Sequence, residues 1–217
     1  MSSTAPSPAL ALIGCGQLFD DIVAYWPVLG AGRTLLPLRL ASTDNAVADT
    51  AALLANLNPE QTRIFAAVDT QAINHARLDV YAKARLMGFK GERLHHPSAI
   101  VADDVRVGEN SWIGAGAVIA HGVQIGNNTI IGDGARIEAN AKLGANVWVG
   151  AGASVGAGTV LGQHCLIGRD VHLGAGLKIG RHCVIDVPST YSESFEDGTF
   201  IDSSYLNLVR IYGTSHE

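Results

Sequence analysis

Counting in sixes from Val101 meets an aliphatic residue fifteen times in succession, through Val107, Ile113, Ile119, Ile125, Ile131 and Ile137 to Ile179 and Ile185. The next position is usually glycine, as at Gly108, Gly114, Gly126, Gly132, Gly144, Gly150 and Gly156, and the position four after the aliphatic is small or apolar, as at Ser111, Ala117, Thr129 and Ala135. A helix needs apolar residues near a spacing of about 3.6, and a half-buried strand alternates in twos. A strict six with a glycine at each bend instead specifies short strands wound into a column, the parallel β-helix. Three hexads close one triangular coil, so residues eighteen apart stack at roughly the inter-strand spacing of about 4.8 Å. Linear counting therefore becomes spatial adjacency, and His121 lies one coil from Ala139.

The first part of the chain follows another rule. Apolar runs at 9–14, 33–40 and 62–69 alternate with helical patterns over 17–29, 45–57 and 70–88, the order of βα units on a parallel sheet. In the third helix Thr70 can cap the start, Ala72, Ala76, Val80 and Leu86 lie near one face, and Gly88 can end it. The expected division is a disordered N-terminus over 1–8, an α/β (Rossmann-like) domain over 9–93, a β-helix over 94–187 and a C-terminal tail over 188–217. After Pro188 the period of six stops, and the tail is expected to cover the open end of the column through "YLNLVRIY".

With 217 residues, 47% of them hydrophobic and 16% charged, the chain can bury a proper core. A net charge of −5 offers no basic face for nucleic acid. Cys15, Cys165 and Cys183 are too few and too scattered for a disulfide framework or a structural zinc site. "MSSTAPSP" has no basic start, and Gly14 and Gly16 break the apolar run that begins at Ala9, so neither a signal peptide nor a membrane span is expected. The expected location is the cytoplasm.

A βα domain, then "HPSA" (His96–Ala99), then a hexapeptide column resembles the sugar acyltransferases: the bacillosamine and perosamine N-acetyltransferases and the sialic acid O-acetyltransferases. The likeness covers residues 9 to about 187. It implies a left-handed β-helix assembled as a homotrimer. It also implies transfer of an acetyl or related acyl group from acetyl-CoA to an amino or hydroxyl group of a nucleotide-linked sugar, in surface-polysaccharide synthesis and without a metal. The family carries a glycine-rich turn followed by Gly-His in its first domain, where the nucleotide binds. "IGCGQLF" matches its start, so Gly14, Cys15 and Gly16 are the implied nucleotide-sugar contacts, whereas Gln17 and Leu18 stand where Gly-His would be. Read alone, the same Gly-x-Gly is equally a tight turn.

The family's catalytic Glu-His pair lies seven hexads after "HPSA", on Ile137–Lys142 here. Glu138 is present; the histidine is Ala139, and a second family histidine falls on Trp148. A positioned imidazole is worth about 10²–10⁴ in rate as a general base, and alanine supplies none of it. Three readings stay open. His121 takes the proton from the neighbouring coil. Or orientation of the amine suffices, with Gly156 and Ala157 offering backbone N–H groups to the oxyanion and Glu138 ordering a water or the acceptor. Or the chain has kept binding or assembly and lost catalysis.

Further candidates are weighed the same way. "GQHCLIG" and "GRHCVID" stack His164 on His182 and Cys165 on Cys183, but each His and its Cys should point to opposite sides of the strand, which opposes a shared metal. His172 could join His164 in a γ-carbonic-anhydrase-like site, yet the His-x4-His pair is absent. His95 and His96 belong to the turn that starts the first coil, and His75 and His216 receive no role. Trp112 and Trp148 read as outward corner residues, for subunit packing or as a platform for the CoA adenine. Arg77 reads as a solvated helix face or as a group reaching toward a phosphate.

Overall fold

A computed structural model describes residues 8–70, 74–204 and 209–210. The chain divides into two compact units between Arg93 and Leu94. The expectations for the first seven residues, for Ala72, for His216 and for all of "YLNLVRIY" except Val209 and Arg210 fall outside the described residues.

In the first unit the continuous apolar run makes β1 (Ala9–Cys15) the central strand of a parallel sheet. It pairs with β2 (Leu35–Arg39) on one side and β3 (Thr62–Val68) on the other, and β4 (Lys90–Gly91) adds to β3. Leu10 through Ile13 are fully buried. Helices α1 (Gln17–Leu29), α2 (Ala46–Leu54) and α3 (His75–Leu86) connect the strands.

The third helix differs from its sequence reading. It starts at His75, not at Thr70, because Asn74 has a left-handed backbone (φ 63°) that a helix cannot pass through. Its buried stripe is Arg77, Val80, Tyr81 and Ala84, and Leu86 is 86% exposed. Arg77 is therefore neither a solvated residue nor one reaching for a ligand. It is fully buried, its Nε donates to Ala66 O at 3.0 Å, and its guanidinium lies 5.6 Å from the Phe65 ring centroid. Burial pushes its pKa down to about 9. Removing such a group strands a buried acceptor and opens a cavity, so Arg77→Ala should cost about 3 kcal/mol in chemical denaturation. Arg77→Met, which keeps the packing stem, should cost less.

The second unit is the column of hexads. One face stacks Arg106–Val107, Gln124–Ile125, Lys142–Leu143, Val160–Leu161 and Lys178–Ile179; a second stacks Leu94–His95, Trp112–Ile113, Ile130–Ile131, Trp148–Val149, Leu166–Ile167 and Val184–Ile185. The third stacks Ile100–Val101, Val118–Ile119, Arg136–Ile137, Ser154–Val155 and His172–Leu173. Up to His172, every pairing is parallel between residues eighteen apart. From Val101 on, the second residue of each pair turns inward, and with the small or aliphatic residues two positions earlier it forms one core. At the start of the column Leu94 is buried and His95 exposed.

From Asn110 to His182 each corner bends through a left-handed residue three positions after the inward aliphatic, and those places hold Gly, Asn, Asp or His, the residues that tolerate this conformation. One corner stacks a polar ladder that sequence reading missed. Asn110 Nδ2 donates to Asn128 Oδ1, and Asn128 Nδ2 to Asn146 Oδ1, both at 2.6 Å. Asn146 Nδ2 meets His164 Nδ1 at 3.0 Å, and His164 stacks on His182 with ring centroids 4.6 Å apart. The Cys165 and Cys183 thiols turn inward and donate to Gly180 O at 3.0 Å and Glu196 O at 3.2 Å. The adjacent Cys183 sulfur and burial push the Cys165 thiol well above its ordinary pKa.

Two readings of the column change. Trp112 and Trp148 sit on a flat face, in register with Ile130 and Leu166, not at corners; Trp112 is buried and Trp148 half-buried. The ladder also continues beyond residue 187. Thr190–Tyr191 pairs with His172–Leu173, Phe195 bridges to Ile179, and Thr199–Ile201 pairs with Val184–Ile185 at an offset of sixteen. Tyr191, Phe195 and Ile201 pack on the core where aliphatics stood before. Among the described residues no helix is long and apolar enough to cross a membrane.

Candidate functional site

The corner that follows the third face carries the residues in question. Asn140 N donates to His121 O at 3.0 Å, Gly158 N to Ala139 O at 2.8 Å, and Gly176 N to Ala157 O at 2.8 Å. His121, Ala139, Ala157 and Ala175 therefore follow one another up the column without a bulge. His121 is exposed and makes no hydrogen bond through its ring among the described residues, while Ala139 and Ala157 are half-buried.

Glu138 is exposed, and its Oε2 accepts a hydrogen bond of 3.0 Å from Ala157 N. Gly156 N donates to Leu173 O at 2.8 Å in the ladder. Both N–H groups expected to meet an oxyanion are thus engaged within the chain, because the coil above needs one and the Glu138 carboxylate takes the other. Glu138 braces the corner.

"HPSA" forms a local turn. His96 Nδ1 lies 2.7 Å from Ser98 Oγ, and Ser98 Oγ accepts from Gly116 N at 3.0 Å. That agrees with the junction role read for His96.

In the first unit, Gly14 (φ 154°) is where β1 and β3 press together, since a Cβ there would lie 1.7 Å from Ala67 O. Gly16 (φ 89°) faces a carboxylate, and a Cβ there would lie 2.1 Å from Asp69 Oδ2. Asp69 accepts from Gln17 N at 2.8 Å and Leu18 N at 3.0 Å. The start of α1, where Gly14, Cys15 and Gly16 are the implied nucleotide-sugar contacts, is therefore already capped by a carboxylate, which leaves these N–H groups engaged and disfavours a phosphate there more than a ribose. Cys15 is half-buried; burial first and Asp69 second push its pKa up, against the pull of Arg39. Arg39 pairs with Asp20 and lies 4.5 Å from the Phe19 ring centroid.

A pair outside the sequence reading stands on the third face. Ser154 Oγ and His172 Nδ1 share a hydrogen bond of 2.9 Å, on strands that pair directly. Ser154 is half-buried and His172 exposed. The spacing of eighteen was the signal that could have found them.

The bacterial transferase hexapeptide (six repeats) family matches residues 104–139 and 128–163. No curated protein matches the chain in sequence. Among solved structures, the acetyltransferase domain of PglB from Neisseria gonorrhoeae, in complex with acetyl coenzyme A, is 22% identical with a TM-score of 0.73, over 90% of this chain and 96% of that one. PerB from Caulobacter crescentus, in complex with CoA and GDP-perosamine, is 24% identical with a TM-score of 0.73, over 88% and 92%. A histidine-to-alanine variant of GDP-perosamine N-acetyltransferase from the same organism, also with CoA and GDP-perosamine, is 22% identical with a TM-score of 0.64, over 88% and 92%. These likenesses show the fold: a small α/β unit followed by a parallel β-helix of hexapeptide repeats.

Proposed function

From bacterial transferase hexapeptide repeats over residues 104–163 and a fold shared with sugar acetyltransferases, we propose that the chain transfers an acetyl or related acyl group from a CoA thioester to an amino or hydroxyl group of a nucleotide-linked sugar. The reaction serves surface-polysaccharide synthesis, in a cytoplasmic homotrimer. The observation that carries the reading is the unbroken register that sets exposed His121 one coil from Ala139. The family resemblance assigns the general base to the place that Ala139 holds.

In this reading the acceptor's nitrogen or oxygen attacks the thioester carbonyl and His121 takes its proton, since imidazole suits proton transfer near neutral pH. The adduct then collapses, its C–S bond breaks, and the imidazolium returns the proton to the departing CoA thiolate. Glu138 keeps the corner fixed through Ala157 N, and binding supplies orientation. Trp148 offers its aromatic surface to the CoA adenine. At Gly14, Cys15 and Gly16 the nucleotide presents hydroxyl groups to Asp69, not its phosphates, because the N–H groups of Gln17 and Leu18 are taken.

A second reading, a non-catalytic trimeric sugar-binding or scaffold protein, draws on Ala139 and on the engaged N–H groups of Gly156 and Ala157. The histidine-to-alanine relative is a structure with CoA and GDP-perosamine, so a protein of this fold can hold both ligands with one histidine replaced by alanine. Thiol release from acetyl-CoA across a panel of nucleotide-linked amino sugars separates the two. The proposal expects turnover with at least one of them. Sugar binding by calorimetry without thiol release would establish the second reading.

A further inference from the structure

Ser154 and His172 form the one serine–imidazole pair among the described residues that lies outside the base and nucleotide positions already discussed and outside the "HPSA" turn. Parallel pairing fixes them opposite each other on adjacent coils, so their side chains leave the same flat face side by side. The hydrogen bond of 2.9 Å runs between the hydroxyl and a ring nitrogen. In the tautomer protonated at Nε2, Nδ1 is the acceptor and the serine is the donor. That is the relation of a nucleophile to its general base.

The surroundings suit the same chemistry. On the coil before Ser154, Arg136 occupies the equivalent outward position and is exposed, and on the coil after His172 that position holds Thr190. No acidic residue stands in this outward column from Ile100 to Thr190. A cation one coil away, about 4.8 Å along the column, favours negative charge developing at Ser154. The column supplies no opposing carboxylate.

We propose that Ser154 is a nucleophile activated by His172, a site that accepts an acyl group from a reactive ester or thioester. As Ser154 Oγ bonds to the acyl carbon, its proton passes to His172 Nδ1. The tetrahedral adduct then collapses, its bond to the leaving sulfur or oxygen breaks, and the imidazolium returns the proton to that thiolate or phenolate. The products are O-acyl-Ser154 and a free thiol or phenol. This chemistry needs neither a sugar nor a bound CoA, so it stands or falls apart from the acyl transfer proposed above.

The test uses the full chain and p-nitrophenyl acetate. An adduct of about 42 Da should map to Ser154, vanish in Ser154→Ala, and form at least about 100-fold more slowly in His172→Gln, the scale of a lost general base. Ser154→Cys, which keeps a nucleophile beside the same imidazole, should label again at the same position. Labelling confined to lysines, or a Ser154 rate unchanged in His172→Gln, would overturn the proposal and leave the pair as a cross-strand contact.

Discussion

Replacing His121 by alanine should lower the turnover number for the proposed acyl transfer by a factor of about 10²–10⁴, the range of a lost general base. The melting temperature should stay nearly unchanged, because the side chain is exposed and makes no hydrogen bond among the described residues. The same factor is about 2.7–5.5 kcal/mol of transition-state stabilisation. The stacking supplies a stronger test. Adding Ala139→His to the His121→Ala chain returns an imidazole one coil further on. Ala139 is half-buried, its backbone is not left-handed, and the next residue up the corner is Ala157, so a ring has room to project. The double variant should recover at least tenfold in turnover over the single one by steady-state kinetics. Wild-type rates in His121→Ala would remove this residue from the mechanism.

The column was legible because its rule is arithmetic. Each hexad from Val101 to Ile185 is six residues long, so the pairing of Arg136 with Ser154 could be counted before it was seen. Its end was hidden because two rules change together. The coil closing on Ile201 is two residues short, and its inward places go to Tyr191 and Phe195, which do not read as members of an aliphatic ladder. The missing residues fall between Tyr191 and Phe195, where the inward spacing drops from six to four.

The site was legible in its stacking and illegible in its hydrogen bonds. Counting set His121 beside Ala139, but the engagement of Ala157 N depends on Glu138 reaching nineteen residues forward, one more than the period. Asp69 lies fifty-two residues from Gln17. Only the pairing of β1 with β3 brings the end of β3 to the start of α1, and no local pattern announces it. Arg77 failed for a different reason. Helical counting assigns a cation to the wet side, whereas Ala66 O and the Phe65 ring offer it partners inside.

The corner glycines separate two physical demands that the sequence writes with the same letter. At Gly126 a Cβ would lie 2.6 Å from Ala145 N and equally close to the carbonyl carbon of Gly144, backbone atoms that cannot swing aside. At Gly134 nothing lies within 4 Å, but φ is +65°. The first is a demand for space between coils and the second a demand for a left-handed residue. Gly126→Ala should therefore destabilise the column by about 3 kcal/mol or more, as overpacking against rigid structure does. Gly134→Ala should cost only about 1–2 kcal/mol for the strained backbone, and Gly134→Asn less, because asparagine fills the same place at Asn110, Asn128, Asn140 and Asn146. Denaturant unfolding of the three variants in the full chain reads the order directly. Equal losses for Gly126→Ala and Gly134→Ala would mean that the coils can spread to admit a methyl group, and the close vertical spacing on which the His121–Ala139 exchange depends would then not be set by these glycines.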